Sequence, residues 1–386
     1  MRQFVLAMAE AAAVVGRQTQ KHSEHTEFRP KFPKVLGSSR CRQNTRSGAF
    51  GRAVCWCGLL HIKAARKARH SRFAVSGAPM QLLIDTDPGV DDAMALIMAF
   101  THPAVTVRAV TVVGGNVGLA YTTLNALRMV ELCDCEVPVY AGASAPLLHP
   151  ARDAAFVHGE DGFGDIGSPV PSRVIQNEHA ATAIIRYARM HPRQLTLVAL
   201  GPLTNIALAL KLEPRLPRMV ERLVVMGGAV TGRGNTDIAS AEFNIGFDPE
   251  AAFLVFQQWP QLTLVDWEAT LAHAPSVDDV RAIFAKDTPR ARFMKSISSK
   301  TEAFVRSKGS KTWAWADPLA MLAAISPGAV VERAQRGARV ILDGPFTRGQ
   351  TLVDWDQRMS WNKQVDIVQR FKPGALLASM ASALEL

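Results

Sequence analysis

The sequence predicts an α/β fold, in which a single domain is built on a mostly parallel central sheet flanked by helices. Two observations support this prediction. From residue 81 onward, short apolar runs alternate with segments of helical periodicity, which is typical of consecutive βαβ units. The segment 105–113 is rich in Val, as expected for a strand buried on both faces of a parallel sheet.

The individual elements follow in order along the chain. A first strand is predicted over 81–87, because its apolar residues run directly into Pro88 and Gly89. A helix over 92–101 follows, since its apolar residues recur at helical spacing. The same reasoning predicts strands over 105–113, 137–141, 195–200 and 223–226, and helices over 118–133, 180–191 and 203–211. No internal repeat and no second domain boundary is evident.

The charge of the chain is concentrated in its first 79 residues. Residues 1–79 contain 15 Lys and Arg against 3 Asp and Glu, whereas the whole chain contains 44 against 34. The region 80–386 therefore has 29 basic and 31 acidic residues and is not basic. We expect no nucleic-acid partner for this predicted domain.

Residues 1–79 show no sustained helical or strand period, so we predict a basic, poorly ordered leader. An organelle transit peptide or a nucleic-acid-binding arm would have a similar composition. The alternative that we favour is that Met80 is the natural start, because the first predicted strand begins directly after it. The predicted domain then spans 80–386.

Cysteine usage and hydropathy limit the cellular context. Cys133 and Cys135 are the only cysteines of the predicted domain, and they are too close in sequence for an ordinary disulfide. They also lack further ligands at the spacing of a zinc site. We therefore expect a reducing compartment, the cytoplasm. No segment approaches the roughly 18 uninterrupted apolar residues of a membrane span, so we expect no membrane partner.

Four aspartates surround the end of the first predicted strand. Side chains alternate along a strand, so Asp85 and Asp87 project from the same face, and Asp91 and Asp92 begin the next helix. Carboxylates crowded in this way repel one another unless a cation neutralises them. The ligands are all hard oxygens, which favours Ca²⁺ or Mg²⁺. The simpler alternative is that Asp91 caps the helix and the other aspartates are solvated.

The segment Asp85-Thr-Asp-Pro-Gly-Val-Asp-Asp-Ala-Met-Ala95 resembles the N-terminal signature of the inosine-uridine preferring nucleoside hydrolase family. The resemblance continues in order over the chain after Met80. It extends through Val112-Val-Gly-Gly-Asn116, Val157-His-Gly-Glu160, Gly201-Pro-Leu-Thr-Asn205, Val225-Met-Gly-Gly228, Ala241-Glu-Phe-Asn244, Asp248-Pro-Glu250 and Ala316-Asp-Pro-Leu319.

The resemblance implies a nucleoside hydrolase-like, Rossmann-related fold and hydrolysis of the N-glycosidic bond of ribonucleosides. It implies a Ca²⁺ site formed by Asp87, Asp92, Asp317 and the backbone carbonyl of Leu200, with Asp87 also the general base. It also implies a homo-oligomer, a dimer or tetramer, with a role in purine or pyrimidine salvage. The residues that it places around the ribose are Asp91, Asn116, Met226, Asn235, Glu242, Phe243 and Asn244.

The group that assists departure of the base is not evident. Some family members have a His directly before the C-terminal metal-binding Asp, but this chain has Ala316 there. His158 is our candidate for a catalytic role on the base side. Trp313 or Trp315 would stack on the base or pack in the core. Arg306 and Lys308 would contact the base or remain solvated.

Two other functions compete with hydrolysis. An Asp-x-Asp sequence after an apolar strand also begins the haloacid-dehalogenase-type phosphatases, but Pro88 and Gly89 do not fit that pattern. A non-catalytic protein that binds nucleosides or ribose is the second alternative, because the His before Asp317 is missing.

Overall fold

A computed structural model describes residues 78–362 and 364–385. The predicted leader therefore lies outside the described residues, apart from Ala78 and Pro79. The strands are β1 Met80–Thr86, β2 Val105–Val112, β3 Val139–Ala141, β4 Leu195–Ala199, β5 Arg222–Met226, β6 Leu262–Val265, β7 Val330–Arg336, β8 Ala338–Val340, β9 Thr351–Val353 and β10 Val365–Phe371. The helices are α1 Val90–Thr101, α2 Leu119–Leu132, α3 Ala155–His158, α4 Ala180–Met190, α5 Thr204–Leu212, α6 Leu216–Met219, α7 Phe243–Phe247, α8 Pro249–Gln258, α9 Trp267–Ala272, α10 Val277–Phe284, α11 Pro289–Ile297, α12 Ser299–Ser307, α13 Ala316–Ile325 and α14 Ala375–Ala383.

Eight strands form one central sheet, in the order β3-β2-β1-β4-β5-β6-β10-β7. All neighbouring strands pair in parallel except β7, which runs antiparallel to β10 at the edge. The predicted fold class is confirmed. A separate two-stranded antiparallel sheet is formed by β8 and β9.

Helices cover both faces of the central sheet. Leu82 and Ile84 of β1 pack in one core with residues of α1, α2, α13 and α14. Leu83 packs in a second core with residues of α4, α5 and α8. Because side chains alternate along a strand, the apolar run Leu82-Leu-Ile84 of β1 supplies both cores.

The order of the strands places a crevice at the end of β1. From β1 the chain moves outward through β2 and β3, and it then returns to β4 on the other side of β1. Ligands of open α/β sheets bind at such a reversal, beyond the carboxyl ends of the strands. The acidic segment that follows β1 therefore lies at this position.

The predicted elements agree with the structure to within about two residues at most ends. Helix α1 begins at Val90, two residues before the predicted start, so Asp91 and Asp92 lie in its first turn. Cys133 and Cys135 are both free, as predicted. Within the described residues, no helix is long and apolar enough to cross a membrane.

Candidate active site

Asp87 follows the last residue of β1 and is almost completely buried. Its Oδ2 accepts a hydrogen bond from the backbone N–H of Asn116 at 2.7 Å. Two glycines contact its carboxylate, because a Cβ on Gly115 or on Gly201 would collide with it. Burial, followed by the charge of Asp92, raises the pKa of Asp87 well above its ordinary value. The backbone after β2 and β4 thus holds this carboxylate closely.

Asp92 links the first turn of α1 to the surrounding loops. Its Oδ2 accepts hydrogen bonds from the N–H of Gly89 and from Nδ2 of Asn116, both at 3.0 Å. Its Oδ1 accepts a hydrogen bond from the hydroxyl of Thr86. The helix-capping contact that we considered for Asp91 is thus made by Asp92. Burial, followed by the charge of Asp91, raises the pKa of Asp92.

Asp317 comes from the first turn of α13, more than 200 residues further along the chain. Carboxylate oxygens of Asp91, Asp92 and Asp317 lie within 4.8 Å of one another. Burial, followed by the charges of Asp91, Asp92 and Asp87, raises the pKa of Asp317 well above its ordinary value. We refer to Asp87, Asp91, Asp92 and Asp317 as the acidic cluster. Its oxygens suit a hard divalent cation, which would relieve their mutual repulsion.

Asp85 does not belong to the acidic cluster, so our expectation that it converges there was wrong. It lies within β1, where its Oδ1 accepts hydrogen bonds from the hydroxyl of Thr111 at 2.6 Å and from Nδ2 of Asn205 at 2.9 Å. Burial raises the pKa of Asp85 to about 7. The strand ends at Thr86, so Asp87 lies beyond it whereas Asp85 stays within the sheet.

A cavity of about 260 Å³ lies against the acidic cluster. Asp91 and Asp317 line it, whereas Asp87 and Asp92 are not among its lining residues. Every residue that the family resemblance implies around the ribose lines this cavity, together with Leu200 and His158. The set is Asp91, Asn116, Met226, Asn235, Glu242, Phe243 and Asn244.

The polar side of the cavity is held by hydrogen bonds at the ends of β4 and β5. The Nδ2 of Asn244 donates to the carbonyl oxygen of Leu200 at 2.6 Å and to that of Met226 at 3.3 Å. The carboxylate of Glu242 accepts from the N–H groups of Gly228 at 2.8 Å, Asn244 at 2.9 Å and Ile245 at 3.1 Å. These bonds fix Glu242 at the N-terminus of α7.

His158 lies beside the start of α1 rather than in open solvent. Its Nδ1 accepts a hydrogen bond from the N–H of Val90 at 3.2 Å, which leaves Nε2 as the protonated nitrogen. Burial lowers the pKa of His158 to about 4. The imidazole is therefore neutral at pH 7 and offers one N–H donor.

The remaining lining residues are mostly apolar. Phe156 and Phe304 meet edge to face with ring centroids 5.8 Å apart, and the rings of Trp313 and Trp315 are 4.9 Å apart. We refer to this surface as the apolar wall, which comprises Phe156, Val157, Trp267, Phe304, Val305, Trp313 and Trp315. Trp313 and Trp315 belong to the core and also line the cavity, so packing in the core is confirmed and stacking on the base stays a prediction.

Sequence reasoning missed most of the apolar wall, and for Arg306 and Lys308 the structure agrees with the alternative in which neither contacts the base. Phe156, Val157, Trp267, Phe304 and Val305 have no chemical signature that would mark them. Neither Arg306 nor Lys308 lines the cavity. Arg306 pairs with Glu302 at 2.9 Å, and the ammonium of Lys308 lies 5.4 Å from the ring centroid of Phe304.

Comparison with known proteins shows that this chain is similar to nucleoside hydrolases in both sequence and structure. A family model described as inosine-uridine preferring nucleoside hydrolase matches residues 82–378. The chain is 36% identical over 284 residues to the enzyme of that name from Crithidia fasciculata, covering 72% of this chain and 88% of the relative. It is 38% identical over 294 residues to uridine nucleosidase 1 of Arabidopsis thaliana, covering 75% and 85%. Among solved structures, an inosine-guanosine nucleoside hydrolase superposes with a TM-score of 0.74 at 33% identity, covering 79% of this chain and 98% of that one.

Proposed function

The chain belongs to the inosine-uridine preferring nucleoside hydrolase family and hydrolyses the N-glycosidic bond of ribonucleosides, and we propose that it does so with Asp87 as general base beside a bound Ca²⁺ ion. The observation that supports this mechanism most directly is the position of the acidic cluster. Its carboxylates lie next to a cavity whose polar side is lined by the amides and carboxylates expected to bind ribose.

The ligands that we propose for Ca²⁺ are Asp87, Asp92, Asp317 and the backbone carbonyl of Leu200. The donor set fits a hard cation because every proposed ligand atom is an oxygen. Burial and repulsion between neighbouring carboxylates raise the pKa values of Asp87, Asp92 and Asp317, and a bound cation would oppose that repulsion. When bound, the ion supplies a water molecule with a lowered pKa.

Asp87 accepts the proton of the attacking water in this mechanism. The bond from Asn116 and the contacts of Gly115 and Gly201 hold its carboxylate in one orientation. A general base that is fixed in this way contributes about 10²–10⁴-fold to the rate. We propose that this orientation, more than the basicity of Asp87, aligns proton transfer with attack at the anomeric carbon.

The transition state of this reaction has positive charge on the ribose ring. Asp91, Glu242 and the amide oxygens of Asn116, Asn235 and Asn244 supply negative charge and acceptors around it. We propose that the carboxylates of Asp91 and Glu242 stabilise that charge. The asparagines, with Met226 and Phe243 packed between them, hold the ribose hydroxyls in the ground state and the transition state alike. The absence of Lys and Arg from the lining residues is consistent with stabilisation of that positive charge.

In our proposal, the base departs without a positively charged acid beside it. Ala316 has no proton to donate, and His158 is uncharged at pH 7 because burial lowers its pKa to about 4. We propose that the Nε2–H of His158 donates a hydrogen bond on the base side while Trp313 or Trp315 contacts the face of the base. Such contacts stabilise the leaving group without an imidazolium acid.

The experiment is a substrate panel of inosine, guanosine, uridine and cytidine, with free ribose as the readout. We expect ribose release in Ca²⁺ and its loss after chelation, with recovery when Ca²⁺ is restored. Nucleoside binding without ribose release would contradict the mechanism and favour a binding protein. Phosphate release from a generic phosphomonoester would favour the phosphatase alternative.

We also propose a cytoplasmic homo-oligomer, a dimer or tetramer, that acts in nucleoside salvage. The family resemblance supports the assembly, and the free thiols of Cys133 and Cys135 are consistent with a reducing compartment. Light scattering of the purified protein tests the assembly. A monomer at micromolar concentration would contradict it.

A further inference from the structure

Glu268, in the first turn of α9, binds a single loop through four hydrogen bonds. Its Oε2 accepts from the N–H of Val230 at 2.7 Å. Its Oε1 accepts from the N–H of Thr231 at 2.8 Å, from the hydroxyl of Thr231 at 2.7 Å and from the N–H of Arg233 at 3.2 Å. Four donors converge on one carboxylate. A carboxylate suits this position because its two oxygens accept hydrogen bonds and donate none.

This loop, residues 230–233, connects β5 to the polar side of the cavity. Met226 precedes it at the end of β5, and Asn235, Glu242 and Phe243 follow it. Glu242 is fixed by its own three backbone hydrogen bonds. Asn235 lies two residues beyond the loop, and its Oδ1 accepts from the N–H of Phe243 at 2.8 Å.

Two further contacts tie the same stretch of chain to its neighbours. The indole N–H of Trp355 donates to the carbonyl of Val230 at 3.0 Å. The N–H of Trp267 donates to the carbonyl of Gly228 at 2.9 Å. Trp267 is the residue before Glu268 and forms part of the apolar wall. One turn of α9 therefore contacts both the loop and the cavity.

We infer that Glu268 is a positioning residue, which holds residues 230–233 in the conformation that places Asn235 against the ribose. The inference rests on the proposed function, since it assumes that Asn235 binds a ribose hydroxyl. Glu268 itself does not line the cavity. Its effect on the substrate therefore passes through the loop, and substitution should weaken ribose binding without removing any catalytic group.

The principal test is Glu268→Gln. The amide keeps the size of the side chain but turns an NH₂ group toward one set of N–H donors, which breaks part of the interaction. We expect KM for a ribonucleoside to rise about tenfold while kcat stays within about twofold, as for the loss of binding that is equal in ground and transition states. An unchanged KM would overturn the inference.

Glu131 offers a matched control. It lies on α2, and its Oε1 accepts from the N–H of Ser172 at 2.6 Å, the hydroxyl of Ser172 at 2.7 Å and the N–H of Arg173 at 2.8 Å. None of these residues lines the cavity. Glu131→Gln should lower the melting temperature about as much as Glu268→Gln and leave KM unchanged. An equal rise of KM in both variants would show a general stability effect and overturn the inference.

A double-mutant cycle separates action through Asn235 from other effects. If Glu268 acts through Asn235, then Glu268→Gln should change KM little in a protein that already contains Asn235→Ala. Fully additive effects would overturn the inference. Thr231→Val is a milder variant that removes one hydrogen bond from an exposed residue, and we expect a two- to threefold rise of KM. Failure of the proposed function would appear earlier, as no ribose release by the wild-type protein.

Discussion

The acidic cluster and the apolar wall border the same cavity but are built differently. Asp87 and Asp92 are fully buried and held by directional hydrogen bonds to the segments that follow β1 and β2. The apolar wall draws on the short helices α3 and α12, and the side chain of Phe156 is 67% exposed. Its members meet through ring contacts, which have weak directional demands.

The difference indicates where substitution is tolerated. A hydrogen-bonded carboxylate loses its function when its position changes by about an ångström, because proton transfer and ligand binding depend on geometry. An apolar surface tolerates exchange of residues of similar volume. We therefore expect variants of the acidic cluster to lose the reaction, and variants of the apolar wall to change the rate for particular bases.

The largest expected effect follows Asp92→Ala. The substitution removes a proposed Ca²⁺ ligand, the acceptor of the Gly89 N–H and one of the two acceptors of the Asn116 Nδ2 group. We expect ribose release to fall by at least about 10⁴-fold and the heat of Ca²⁺ binding to disappear in calorimetry. Asp278→Ala serves as the control, since that side chain is 88% exposed on α10. A well-folded Asp92→Ala protein with normal turnover would refute the site.

Asp87→Asn should have the next largest effect. The amide fills the same space but cannot accept the proton of the attacking water, so we expect kcat to fall about 10²–10⁴-fold with little change of KM. Asp85→Asn is the matched control two residues earlier. Because burial raises the pKa of Asp85 to about 7, an amide is a close mimic of its protonated form. Steady-state kinetics that show equal losses in both variants would contradict the role of Asp87.

Removal of divalent cations should make the stability of the protein depend on pH through the acidic cluster. Burial and mutual repulsion raise the pKa values of Asp92 and Asp317, so without metal the folded state binds more protons than the unfolded state. Stability of the metal-free protein is then greatest below the ordinary pKa of Asp and falls as pH rises through the raised values. Metal binding opposes this trend, because it requires deprotonated ligands.

We therefore expect chelation to lower the melting temperature by on the order of 5 °C at pH 8 and by less at pH 5.5. Differential scanning calorimetry with and without chelator, at both pH values, measures the difference. A larger effect of the chelator at the lower pH would have the wrong sign for this explanation.

The smallest effect is expected at the apolar wall. Trp313→Leu removes an aromatic ring from the cavity but keeps an apolar side chain, so kcat/KM should fall about three- to tenfold. The loss should differ between purine and pyrimidine nucleosides, which distinguishes contact with the base from a change in the ribose site. Competition assays with mixed substrates measure that ratio. Equal losses for every base would assign Trp313 to core packing alone.

The fold was predictable where strands are rich in apolar, branched residues. β1 and β2 were predicted to within a residue at each end, because β1 contains an uninterrupted apolar run before Pro88 and Gly89 and β2 is rich in Val. The position of β10 between β6 and β7 was not predictable from any local pattern. That position depends on pairing between strands about 100 residues apart, and neither segment specifies its partner.

The polar residues of the site were easier to predict than its apolar residues. The aspartates after β1 stood out because crowded carboxylates repel one another, whereas the asparagines and Glu242 were identified only through the family resemblance. Phe156 and Phe304 did not stand out, since an isolated Phe resembles any other core residue. Their contact joins α3 to α12 across almost 150 positions. Glu268 was missed for another reason, because it acts on a loop rather than on the cavity.

The two glycines beside Asp87 limit how the protein can diversify. Even the smallest side chain at position 115 or 201 would push the carboxylate aside, so neither site offers a gradual route to altered activity. Random mutagenesis should therefore return these codons unchanged among active clones, while new base preferences accumulate on the opposite side of the cavity.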